Sequence, residues 1–67
     1  MLEFRIDELL KEQNKSRYWL VKELHTSYPV IDNLADNTAR AVRLDTLEKL
    51  MKAFDCEIGD LFKKKTQ

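Results

Sequence analysis

The sequence is short of the residues that punctuate and staple small proteins. Its 67 positions hold one glycine (Gly59), one proline (Pro29) and one cysteine (Cys56). A lone cysteine cannot build a disulfide framework, and Cys56 with the only histidine, His25, falls short of a four-ligand zinc site. Scarce glycine and proline exclude a strand-rich sandwich or barrel, which needs turn residues roughly every 8 to 12 positions. No apolar run approaches the ~18 residues that span a bilayer, and no signal-peptide pattern opens the chain. A soluble, cytoplasmic protein is the expectation. There is no glycine-rich phosphate loop, and Asp7-Glu8 are neighbours on a wet helix face rather than a catalytic dyad. No enzymatic activity, cofactor, metal or small-molecule ligand is therefore expected. Net charge is missing too, with 12 basic side chains matched by 12 acidic ones, a mild argument against a nucleic-acid partner.

What is present is helical periodicity. Phe4, Ile6, Leu9 and Leu10 predict a first helix that ends in the polar stretch Gln13 to Ser16. Ser16 is a candidate N-cap for a second helix with the stripe Leu20, Val21 and Leu24. After a tight turn at His25-Thr26, Ser27 is a second N-cap, and Pro29 fits a first turn whose N–H groups lack partners anyway. Val30, Ile31 and Leu34 supply the apolar face of that third helix. Residues 36–43 carry no stripe and predict a loop. Leu44, Leu47, Leu50, Met51 and Phe54 predict a fourth helix, and Ile58, Leu61 and Phe62 a short fifth one running to about Lys63. The expected fold is all-α: a compact five-helix bundle, one domain over 1–67 with its core at about 4–62 and a basic tail at 63–67.

A capped helix, a short turn and a second capped helix have the grammar of a helix-turn-helix. With SRYWLVKEL (16–24), SYPVIDNL (27–34) and LDTLEKLMKAFDCEIGDLF (44–62), the chain resembles small single-domain members of the Cro/lambda-repressor (XRE-type) helix-turn-helix family. The last piece shares the Leu-x-Thr-Leu start and Gly-Asp-Leu-Phe end common there. Three features depart from the family pattern. His25 and Asn37 stand where glycine is frequent, and Leu10 and Ala35 stand where an Arg–Glu ion pair is frequent. His and Asn both tolerate positive φ better than most residues, and losing both members of an ion pair strands no charge.

The resemblance implies a sequence-specific DNA-binding transcriptional regulator of bacterial or phage type, reading the major groove with helix 27–34. Its partner would be double-stranded, operator-like DNA, palindromic if the protein acts as a homodimer. By position, Tyr28, Pro29, Asp32 and Asn33 face base edges, Asn33 being suited to bidentate pairing with adenine. Arg17, Ser27, Asn37, Thr38, Arg40 and Arg43 fall where backbone or minor-groove contacts are made. A dimer contact would come from the face of the last two helices, Phe62 and the lysine tail. The competing reading is a helix-turn-helix reused as a protein-interaction module, an antirepressor or antitoxin, with Tyr18, Trp19, Tyr28 and Asp32 as its surface. Trp19 lies off the stripe, so it either packs on helix one or meets a partner, while Cys56 is expected to be a buried, reduced thiol.

The neutral total conceals an uneven distribution. Residues 1–13 carry two basic and four acidic groups, and residues 44–62 carry two and five. Residues 14–43 carry five basic and three acidic groups, so the excess of cations falls on the helix-turn-helix itself. Few phosphates can be neutralised per subunit, which predicts a shallow salt dependence. A chain this short leaves room for a DNA-reading head without a sensor domain.

Overall fold

A computed structural model describes residues 2–64, with residue 1 and residues 65–67 of the basic tail outside the described range. The chain forms β1 (Leu2–Phe4), α1 (Ile6–Glu12), α2 (Arg17–Leu24), α3 (Tyr28–Ala35) and α4 (Leu44–Phe54), then a 3-10 turn (Ile58–Leu61) and β2 (Phe62–Lys64). The middle of the chain follows its periodicity, including the loop at 36–43.

The ends do not, and the five-helix expectation is corrected there. Phe4 belongs to a strand, not to the first helix, and the fifth helix is only the 3-10 turn. β1 and β2 pair antiparallel with Phe4 opposite Phe62, Glu3 opposite Lys63 and Leu2 opposite Lys64. The rings of Phe4 and Phe62 lie 4.7 Å apart, and both pack on the helical core. Arg5 secures this join: its backbone N–H donates to the Leu61 carbonyl at 2.8 Å, and its guanidinium reaches Glu8 at 3.0 Å and the Asp60 carbonyl at 3.1 Å. Lys63 pairs with Glu8 from the other side. Those contacts hold the Glu8 carboxyl below the usual glutamate range, the Lys63 hydrogen bond first and that of Arg5 second.

Ile6, Leu9, Leu10, Leu20, Leu24, Ile31, Leu34, Leu47, Leu50, Phe54 and Leu61 form one buried cluster to which every helix contributes. Burying a side chain of this kind is worth about 1.5–3 kcal/mol relative to leaving it exposed. Trp19 packs on Phe54 of α4 at 5.9 Å between ring centroids and stays half-buried against the helical core. Leu10 is buried and Ala35 half-buried against the same core, so apolar packing occupies both positions where related sequences place an ion pair. Three side chains expected inside are exposed instead: Val30, Leu44 and Ile58, at 42, 77 and 48 %.

All four α-helices end in the same way. Asn14, His25, Asn37 and Asp55 have φ of 57, 52, 60 and 52°, in the left-handed region. The next residue folds back each time, Lys15 to Leu10, Thr26 to Val21, Thr38 to Asn33 and Cys56 to Met51, with N···O distances of 2.8–3.1 Å. These bonds satisfy carbonyls that a helix end otherwise leaves open. Glycine is the usual occupant of such positions, yet the chain's one glycine, Gly59, lies elsewhere in the 3-10 turn. Short polar side chains and one imidazole take its place. At the opposite ends, the Ser16 hydroxyl accepts from the Trp19 N–H at 3.1 Å. Ser27 holds the N-cap conformation of α3 without a side-chain cap bond.

Candidate nucleic-acid interface

α2 and α3, joined through His25 to Ser27, form the helix-turn-helix. The buried faces of α3, Ile31 and Leu34, fix which of its residues look outward. Tyr28, Pro29 and Asn33 are exposed, as is Val30, with Asp32 half-buried. The Tyr28 ring stacks on Tyr18 of α2, centroids 6.1 Å apart, and the Lys22 ammonium sits 5.1 Å above the Tyr18 ring. An aromatic pair with a cation on it thus borders the N-terminal end of α3.

On the other side of α3, α4 supplies a second border. A groove beside Val30 and Asn33 is lined by Ala39, Val42, Arg43 and Thr46. Its neighbour, sharing Val30 and Thr46, is lined by His25, Thr26 and Lys49. Lys49 was not among the residues expected from sequence. Its signal is the spacing of Arg43, Thr46 and Lys49, three residues apart along one flank of α4 and the residue before it.

Asn33 is not a free side chain. Its backbone carbonyl caps the end of α3 by accepting from Thr38 and Ala39, at 2.9 and 3.2 Å. Its amide oxygen accepts from the Thr38 hydroxyl at 3.0 Å. The bond orients the side chain while leaving both amide hydrogens and the oxygen's second lone pair unused. Thr38 therefore holds Asn33 in place. Asn37 faces the opposite way: its side chain accepts from the Phe4 N–H at 2.6 Å and donates to the Phe4 carbonyl at 3.3 Å, bracing β1. Arg40 is exposed in the loop, and Arg43 is 86 % exposed with one looser contact to Asp45 at 3.4 Å.

Arg17 and Asp32 meet each other. The Arg17 guanidinium donates to both oxygens of Asp7 at 2.9 and 2.6 Å, to Asp32 at 2.9 Å and to Asp36 at 3.0 Å. These carboxylates raise its pKa further above the ordinary arginine value, Asp7 contributing most, then Asp32 and Asp36. Of the ten residues expected at the interface, the structure brings Tyr28, Pro29, Asn33, Thr38 and Arg43 to one surface. It turns Arg17, Asp32 and Asn37 into ties between elements. Among the described residues, no group of three or more His, Cys, Asp or Glu side chains could hold a metal ion. No helix among them is long and apolar enough to cross a membrane.

Comparison with known proteins agrees with this architecture. Residues 5–67 match the family model for the Cro/C1-type helix-turn-helix DNA-binding domain. A crystal structure of a proposed DNA-binding protein from Bacteroides fragilis superposes with a TM-score of 0.82 at 24 % identity, covering 94 % of this chain and 100 % of that one. No curated protein matches the chain significantly. With its two-helix unit intact and the family model matched over nearly its whole length, the chain belongs to the Cro/C1-type helix-turn-helix DNA-binding family.

Proposed function

We propose that the protein is a sequence-specific transcriptional regulator of bacterial or phage type that lays α3 in the major groove of duplex DNA. The observation that carries this reading is the flanking of an uncharged, exposed α3 surface by cations on both sides. Lys22 borders it over the Tyr18–Tyr28 pair, and Arg43 and Lys49 border it across the α4 grooves. Cations at the two edges suit the phosphates of the two strands, and the surface between suits base edges.

α3 carries no lysine or arginine. Its readout rests on apolar contact from Tyr28, Pro29 and Val30 with thymine methyls, and on Asn33 pairing with an adenine. Ser27 and Arg40 add backbone contacts at the ends of this surface. The protein binds a palindromic site as a homodimer, and Leu44 and Ile58, left exposed by the fold, supply apolar surface for the contact between copies. With Lys22, Arg40, Arg43 and Lys49 as the contacting cations, the slope of log K against log salt is bounded at about −4 per protomer.

Selection of bound sequences from a random duplex pool tests the reading. A recovered palindrome containing A·T pairs, with affinity falling as salt rises, supports it. No enrichment and no salt dependence overturns it. The protein-interaction reading has one observation in its favour, the exposed Tyr18–Tyr28 pair beside an α3 without cations. Stoichiometric capture of a protein partner without any duplex binding would select that reading instead.

A further inference from the structure

The Arg17 cluster stands at the place where a phosphate contact was expected, and its geometry suits another task. Arg17 is the first residue of α2, where the helix dipole disfavours a cation. Of its five N–H donors, four are committed to carboxylates: one from Nε, one from Nη1 and both from Nη2. One guanidinium among three carboxylates leaves the cluster at −2, so an approaching phosphate meets repulsion rather than a free cation.

The partners lie on three elements: Asp7 in the first turn of α1, Arg17 on α2, and Asp32 with Asp36 one turn apart at the end of α3. Burial of Ile31 and Leu34 sets the general orientation of α3, and two anchor points a turn apart at its outer edge narrow the small rotation that this packing still allows. That rotation decides which of Tyr28, Pro29 and Asn33 reach base edges. It also keeps the Asp32 carboxylate on Arg17 and away from the groove.

We propose that Arg17 is a positioning residue that fine-tunes the rotation of α3 through Asp32 and Asp36, and so sharpens sequence discrimination without touching DNA. The inference rests on the DNA-binding reading above, and its test separates the two. In the double variant Arg17→Met, Asp7→Asn the cluster keeps its charge of −2 while the guanidinium is gone, so long-range repulsion is unchanged. Affinity for the selected duplex should fall about tenfold and affinity for random-sequence duplex should change by less than about twofold, with the salt slope preserved. A phosphate ligand would instead lower both affinities alike and flatten the slope by about 0.9 per protomer, which would overturn the proposal.

Amide hydrogen exchange in the free protein supplies a second readout. Exchange at residues 31–35 should quicken about tenfold in the variant while residues 47–54 keep the wild-type rates. Unchanged exchange in α3, or an equal rise in α3 and α4, would also overturn the proposal. If the wild type selects no DNA sequence, the functional reading fails on its own, and the exchange pattern still decides whether Arg17 holds α3.

Discussion

Asn37 performs two tasks that substitution can separate. Its backbone sits at φ 60° in the turn after α3, and its side chain exchanges two hydrogen bonds with the Phe4 backbone. In the β1–β2 register, Glu3 and Lys63 form the pair facing each other through hydrogen bonds, so the polar groups of Phe4 point away from β2 and toward Asn37. The side chain thus acts as one residue of a missing third strand. Asn37→Gly keeps the turn and removes the brace. At about 0.5–1.5 kcal/mol per bond, and toward the low end because the site is partly wet, the loss is about 1–2 kcal/mol. Asn37→Ala loses the brace and also places a methyl-bearing residue in the left-handed region, at about 1–2 kcal/mol more. Alanine's smaller unfolded-state freedom returns about 0.5–1 kcal/mol of that. The expected totals are about 1–2 kcal/mol for glycine and about 2–3 kcal/mol for alanine, or roughly 8 and 15 °C in Tm for a domain of this size. Thermal melts followed by circular dichroism measure both. A melting temperature for Asn37→Ala within about 2 °C of wild type, or above that of Asn37→Gly, would refute the reasoning.

Three further outcomes follow from features described above. The Glu8 carboxyl, lowered by Lys63 and Arg5, contributes stability that is full above the ordinary glutamate pKa and is lost as pH falls through its lower folded value. Melting curves of wild type and Glu8→Gln should therefore differ at pH 7 and converge below about pH 4. Burial raises the Cys56 thiol pKa, with Asp60, Asp55 and Glu57 adding to the shift, so a thiol reagent at pH 8 should react faster with urea-unfolded than with native protein. Equal rates would show the thiol to be open. A Cβ added at Gly59 meets nothing within 4 Å, so Gly59→Ala should leave the protein as stable or raise stability by up to about 1 kcal/mol, read as the midpoint of urea denaturation.

Where the sequence repeats its apolar residues over two turns or more, it dictates the structure. The α4 stripe from Leu47 to Phe54 and the caps at Ser16 and Ser27 are local patterns, readable without knowing what lies across the core. β1 was hidden because three residues carry no period, and because its partner lies about 60 positions away in the chain. Leu44 and Ile58 continue the apolar spacing past the point where the core has room for it, so pattern placed them inside and packing left them out. The exposed surface of the helix-turn-helix was legible in part. Position on α3 picked out Tyr28, Pro29 and Asn33 as outward-facing side chains, while the fate of Arg17 depended on three aspartates from two other helices. One clue was on the page: Asp32 and Asp36, spaced by four, make an acidic edge on a helix expected to approach phosphates. Such an edge needs a cation, and Arg17 supplies it although Arg40, Arg43 and Lys22 all lie nearer in the chain.

The pairing of Leu2 with Lys64 has a kinetic consequence. Closing it brings the two extremities of the described chain together, the longest loop closed among the described residues, whereas the α2–α3 and α4 contacts close shorter ones. Loop-closure entropy places that event late, after the helices have docked and shortened the effective path. The sheet then behaves as a clasp fastened onto a finished bundle. Damage to it is expected to leave the folding rate nearly untouched and to appear as faster unfolding, so the ends of the chain contribute to the lifetime of the native state more than to the speed of reaching it.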